Sequence, residues 1–114
     1  MTTIYKICER TAWQEAQDAR IFRGSDVDGR DGFIHFSTAA QLAETAAKHF
    51  AGQRDLMLIA IDGNALGTAL KWERSRGGDL FPHLYAVLPV NAVLRAQPLP
   101  DELDGWRALP ELKP

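Results

Sequence analysis

Asp31-Gly32-Phe33-Ile34-His35-Phe36-Ser37-Thr38 joins a short apolar strand pattern to the start of an amphipathic helix, and the reading of the fold begins at that joint. Phe33, Ile34 and Phe36 supply the aromatic and β-branched bulk of a strand, and the Asp-Gly pair before them is a turn signal. Alternation puts His35 and Ser37 on one strand face, an imidazole beside a hydroxyl. Thr38-Ala-Ala-Gln41 then has the capping-box spacing, so the strand is expected to end where a helix N-terminus begins. These groups together could hold a polar or anionic ligand. They are equally the parts of a hydrogen-bonded, half-buried strand end and a helix cap.

Outward from this joint the chain reads as α+β. Thr3 to Cys8 alternates as a half-buried first strand, and Thr11-Ala-Trp-Gln14 repeats the capping-box pattern ahead of a short helix with Ala12, Trp13, Ala16 and Ala19 on its apolar side. Ile21-Phe22 is a short strand, and Arg23 to Asp31 reads as a polar, glycine-containing loop. A helix over about 39–51 turns Leu42, Ala43, Ala46, Ala47 and Phe50 inward and stops at Gly52. The apolar run Asp55 to Ile61 is too continuous for a half-exposed strand and reads as a central strand covered on both faces. Leu70 to Glu73 is another strand, and Leu80 to Tyr85 an extended piece that Pro82 confines to an edge, a strand start or a bulge. Pro89 to Ala92 reads as a helical turn and Val93 to Gln97 as a last strand. One domain over residues 1–98 is expected, followed by a tail over 99–114 that packs Leu103, Trp106 and Leu109 on the body or frays.

Composition narrows the function classes. The formal net charge of -2 gives no basic field for nucleic acid or an anionic membrane, and no apolar run approaches the roughly 20 residues that span a bilayer. With a single Cys8 there is no intrachain disulfide, and a reducing cytoplasm is the simplest location. Cys8 itself, in an apolar strand, reads as an inert core thiol. Asp26, Asp28 and Gly29 faintly resemble a calcium loop but lack its other ligand positions and terminal Glu, and no two of His35, His49 and His83 have tight zinc spacing. No metal is expected.

The remaining polar candidates lie at strand ends. Glu73 adjoins Trp72, where partial burial would raise its pKa and suit acid-base or cation-stabilising work, although an ion pair with Arg74 or Arg76 explains it equally. Gly77-Gly78 matches no phosphate loop. His83 and Tyr85 share a face if their segment is extended, giving either a donor beside an aromatic plate or an edge histidine beside a core tyrosine.

The order Gly-Phe-Ile-His-x-Ser-Thr (32–38), Leu-Ile-x-Ile-Asp (58–62), Trp-Glu (72–73) and Gly-x-Leu-Phe-Pro-His-Leu-Tyr (78–85) resembles the DUF952 family, over about Ile4 to Pro98. The resemblance implies a minimal ADP-ribosyltransferase-like fold, a split β-sheet with two main helices packed on it and a cleft between the sheet halves. It further implies that His35 and Ser37 hold a ribose, that Tyr85 stacks on a base with Trp72 or Phe36 as alternates, and that Glu73 supports developing positive charge. The expectation is thus a cytoplasmic binding protein for a nucleotide of the NAD or ADP-ribose kind. Glu73 and His35 would be catalytic in ADP-ribosyl or phosphoribosyl transfer, and His35, Ser37, Thr38, Trp72, His83 and Tyr85 would line the ligand. NAD would be a substrate rather than a bound cofactor. The alternative is a non-catalytic small-ligand or protein-interaction module that keeps the fold without chemistry.

Overall fold

The structure, a computed structural model, describes residues 2–99. Its elements run β1 (Thr3–Glu9), α1 (Arg10–Ala19), β2 (Ile21–Phe22), α2 (Asp26–Asp31), β3 (Ile34–His35), α3 (Ala39–His49), β4 (Leu56–Asp62), β5 (Leu70–Arg74), β6 (Leu80–Leu84), β7 (Leu88–Pro89) and β8 (Val93–Pro98), with short 3-10 turns before β5, β6 and β8. The strands form antiparallel sheets ordered β1-β4-β8, β2-β7 and β3-β6-β5. This is a mixed α and β fold. The expected tail contacts of Leu103, Trp106 and Leu109 lie outside the described residues.

The apolar run of β4 lies between β1 and β8, and its side chains alternate between two clusters. Met57, Ile59 and Ile61 join Ile4, Trp13 and Ala16 on the α1 side, whereas Leu56, Leu58 and Ala60 join Tyr5, Ile7, Leu42 and Ala46 on the α3 side. A strand packed by a helix on each face has no solvent face to alternate toward, which is why its sequence is continuously apolar.

Three local expectations change. The Thr11 cap is absent: α1 begins two residues earlier, with Glu9 at the N-cap and no side-chain cap bond. Its entry is fixed instead by a tertiary tie to Asp55, whose backbone oxygen accepts from the Arg10 N–H at 2.9 Å and whose carboxylate meets Arg10 Nε at 2.7 Å. The loop over 23–31 contains α2, capped by a Ser25–Asp28 capping box. Pro82 lies in the middle strand of its sheet. In an antiparallel pair a residue's N–H and C=O point to the same neighbour, and the Pro82 carbonyl accepts from Phe36 N–H at 3.0 Å, just past the end of the two-residue β3. The missing donor therefore falls where that ladder stops.

The chain then crosses between sheets. Ser37 bridges Tyr5 of β1, donating from its N–H at 2.9 Å and accepting at 2.8 Å, so the β3-β6-β5 sheet is tied to the β1-β4-β8 sheet directly beside His35.

Candidate functional site

The β3-β6-β5 ladder sets the site. Its register pairs His35 with His83 and His83 with Lys71, and pairs Glu73 with Phe81, so alternation carries His35, His83, Tyr85 and Glu73 to one face. Phe33, just before β3, lies at their centre. Its ring stacks on His83 (centroids 4.2 Å apart, planes at 26°) and meets His35 at 4.5 Å and Tyr85 at 5.1 Å. The two imidazoles are 5.4 Å apart, nearly edge to face.

Glu73 is held from two sides. Its Oε1 accepts from the Tyr85 hydroxyl at 2.7 Å and lies 2.8 Å from His83 Nδ1. These two bonds, Tyr85 first and His83 second, hold the carboxyl below its ordinary pKa against a smaller opposing effect of desolvation, and the same carboxylate pushes the Tyr85 phenol up. The sequence-based expectation of a raised pKa is thereby reversed, because hydrogen bonding to the ionised form outweighs burial. Of the two arginines expected to pair with it, Arg74 donates from Nη1 to the Gly78 carbonyl at 2.9 Å, and the Arg76 side chain lies outside the described part of the structure. Among the described residues Oε2 of Glu73 takes no hydrogen bond, and the side chain is 39% exposed. The result is an oriented, ionised carboxylate with one free oxygen beside two aromatic rings.

His35 is organised by Asp28, whose likeness to part of a calcium loop gives no sign of this pairing. Asp28 is 2% exposed and lies on the inner side of α2. Its Oδ1 receives His35 Nδ1 at 2.6 Å and His35 N–H at 3.1 Å, and its Oδ2 receives Ser25 N–H at 2.7 Å and Lys6 Nζ at 2.9 Å. Lys6, itself buried in β1, donates also to the His35 carbonyl at 2.9 Å. Burial opposes ionisation of Asp28, but the His35 bond, the Lys6 charge and the Ser25 N–H together drive its pKa far down. A signal for Asp28 was present, the Ser25-x-x-Asp28 box before a short helix, but nothing local names its partners 22 residues upstream and 7 downstream. On the outer side His35 Nε2 meets Asp31 Oδ2 at 2.9 Å.

Other expected residues are directed elsewhere. Ser37 is 3% exposed and its Oγ lies 2.9 Å from Thr45 Oγ1 on α3, so its hydroxyl serves the helix packing. Thr38 is the N-cap of α3, accepting from Gln41 N–H at 3.3 Å in the expected capping box. Trp72 alternates to the opposite face of β5 from Glu73, and Phe36 is buried in the core. Between His83 and Tyr85 the exposures are the reverse of an edge histidine over a core tyrosine: His83 is buried and Tyr85 exposed. Among the described residues no group of three His, Cys, Asp or Glu side chains is placed to hold a metal ion, and no helix is long and apolar enough to cross a membrane.

The family model for a protein of unknown function, DUF952, matches residues 7–96. The chain belongs to the DUF952 family. Among solved structures it is similar to the crystal structure of protein CC0527 from Caulobacter crescentus, with 51% identity over 91% of each chain and a TM-score of 0.87. The solution NMR structure of CC0527 is similar as well, with 51% identity, 92% of this chain and 90% of that one covered, and a TM-score of 0.80. No curated protein matches. The matched range takes in Phe33-Ile34-His35, Trp72-Glu73 and Pro82-His83-Leu84-Tyr85, the segments that β3, β5 and β6 bring side by side.

Proposed function

We propose that the Phe33–His35–Glu73–His83–Tyr85 face binds a nucleotide of the NAD or ADP-ribose kind and supports transfer of its ribosyl group. The observation that carries this reading is the setting of Glu73. A carboxylate kept ionised by a tyrosine hydroxyl and a buried imidazole, with one oxygen free and open to solvent, is suited to stabilise positive charge that develops on a sugar ring as a bond to C1 lengthens. Pre-oriented charge of this kind lowers a barrier because it needs no rearrangement during the reaction. Phe33 and Tyr85 offer planar apolar surface for a base, and His35 offers a ring N–H toward an oxygen of the ligand. The antiparallel sheets tied at Tyr5–Ser37, with a helix on each side of β4, are compatible with an ADP-ribosyltransferase-like arrangement in which His35, Tyr85 and Glu73 act together.

The test is a two-dimensional NMR titration of the labelled chain with NAD, ADP-ribose and AMP, followed by assay of nicotinamide release from NAD. Saturable shifts at Phe33, His35, Glu73 and Tyr85 are expected, with binding retained and turnover lost in Glu73→Gln. If none of the three ligands shifts these residues, the nucleotide assignment is wrong. Binding with no turnover in the parent chain would leave a binding module and remove the transferase.

A further inference from the structure

His35 is held at both ring nitrogens, Nδ1 against Asp28 Oδ1 at 2.6 Å and Nε2 against Asp31 Oδ2 at 2.9 Å. An ionised carboxylate only accepts hydrogen bonds, so either ring nitrogen can bond its carboxylate only as a donor. The two carboxylates are not equivalent. Asp28 is buried and fastened by Lys6, Ser25 and the His35 backbone, so it belongs to the frame. Asp31 is the last residue of α2, its side chain is 48% exposed, and among the described residues His35 is its one side-chain partner. It is followed by Gly32 in the left-handed region at φ 85, where the chain turns back toward β3. The edge of an imidazole fixed on the face of Phe33 and Tyr85 is thus covered by a carboxylate that, among the described residues, no other side chain holds.

We propose that Asp31 is the internal occupant of an oxyanion subsite at His35 Nε2, and that the ligand of this face carries a phosphate or carboxylate oxygen that takes its place. Charge favours this class of ligand. Lys6 is paired with Asp28, and the one further carboxylate against the His35 ring is that of Asp31. An anion that arrives as Asp31 withdraws into solvent replaces like with like and keeps the net charge of the cluster, which a neutral or cationic group does not. Asp28 keeps Nδ1 hydrogen-bonded and the ring oriented throughout, so the donor at Nε2 is aimed before the ligand arrives. The subsite deepens the nucleotide reading, since a nucleotide supplies such an oxygen, and rests on that reading for the identity of the whole ligand.

The probe is inorganic pyrophosphate, which has the oxyanion without base or ribose, titrated into the full chain while the His35 ring resonances are followed. The parent chain is expected to show saturable shifts at His35, and Asp31→Asn to bind about two- to fivefold more tightly, the range over which an exposed ion pair competes. Asp31→Ala, which removes the acceptor altogether, should do the same and serves if the Asn variant does not fold. Absence of a saturable His35 shift in all three proteins, or affinity unchanged or weakened in both variants, overturns the subsite. If NAD or ADP-ribose binds at Phe33, Tyr85 and Glu73 with no gain in either variant, the subsite fails and the nucleotide reading stands. If the variants tighten pyrophosphate while no nucleotide binds, the nucleotide reading fails and the subsite stands.

Discussion

Replacing Asp28 by Asn tests whether a buried charge cluster, and not apolar packing, fixes the loop that carries the site. Asp28 is 2% exposed and its partner Lys6 has a side chain 10% exposed, so the pair is cut off from water. The substitution removes the charge and puts an amide NH2 where a carboxylate oxygen now meets either Ser25 N–H and Lys6 Nζ, or His35 Nδ1 and N–H. In both orientations donors face donors, and Lys6 is left charged without its carboxylate. Removing one partner of a buried ion pair costs about 3–5 kcal/mol, chiefly because the other charge remains buried. For a chain of this size that is a fall in Tm on the order of 10–20 °C. Urea and thermal unfolding followed by circular dichroism at pH 7 would measure it. Adding Lys6→Met to Asp28→Asn should recover a large part of the loss, because the buried unpaired ammonium is gone. The pH dependence has a definite sign. The folded-state pKa of Asp28 is depressed, so its contribution is fully present above the ordinary carboxylate pKa of about 3.9 and is lost as pH falls below that toward the folded value. The parent chain should lose stability steeply in that acid range and Asp28→Asn less so. A loss below about 1 kcal/mol at pH 7, or no recovery in the double variant, would refute the reasoning.

Other expectations follow from single contacts. Tyr85→Phe removes the bond that contributes most to the lowered pKa of Glu73, so the Glu73 carboxyl should titrate at higher pH in the variant, read from its carbon resonance. Gly24→Ala places a Cβ 2.7 Å from that of Asp28 at a φ of +96, so it should destabilise by about 1–3 kcal/mol, measured by urea unfolding. Thr38→Ala removes the α3 cap and should cost about 1 kcal/mol while leaving ligand shifts at His35 unchanged, which separates a structural from a binding role. Cys8 is pushed up to about 11, first by burial, so alkylation at pH 8 should be negligible in the native chain and prompt in urea.

How far the sequence could be read depends on the range of the interaction involved. The central placement of β4 was legible because burial on both faces writes a continuous apolar run, and the α3 cap because Thr38 and Gln41 are three residues apart and meet through local geometry alone. The sharing of one face by His83 and Tyr85 followed from strand periodicity. Ser37 was misread because alternation was carried past the point where β3 stops: two residues of ladder suffice for His35, and the chain then leaves for Tyr5. Pro82 reads as an edge, a strand start or a bulge because a missing donor is costly inside a sheet, yet the neighbouring ladder is too short to require that donor.

The parts of the site that could not be read are those made by pairing across long separations. Glu73 meets His83 only because β5 and β6 register Phe81 opposite Glu73, which shifts the imidazole two residues along the same face to within reach. That registry also decides the protonation chemistry: the same glutamate beside Trp72 alone would be raised by burial, and between Tyr85 and His83 it is lowered. Asp28 repeats the lesson at the other imidazole, where Lys6 of β1 and His35 of β3 converge on one carboxylate from a loop that composition marks as merely polar. His35 and His83 therefore each receive a carboxylate from a different strand or helix, and each carboxylate stays ionised through the donors the fold gathers around it. What separates them is access. Asp28 is sealed in and can only orient His35, whereas Glu73 keeps an open oxygen, so of the two carboxylate–imidazole pairs it is the Glu73 pair that can meet a reacting group and the Asp28 pair that can aim a binding one.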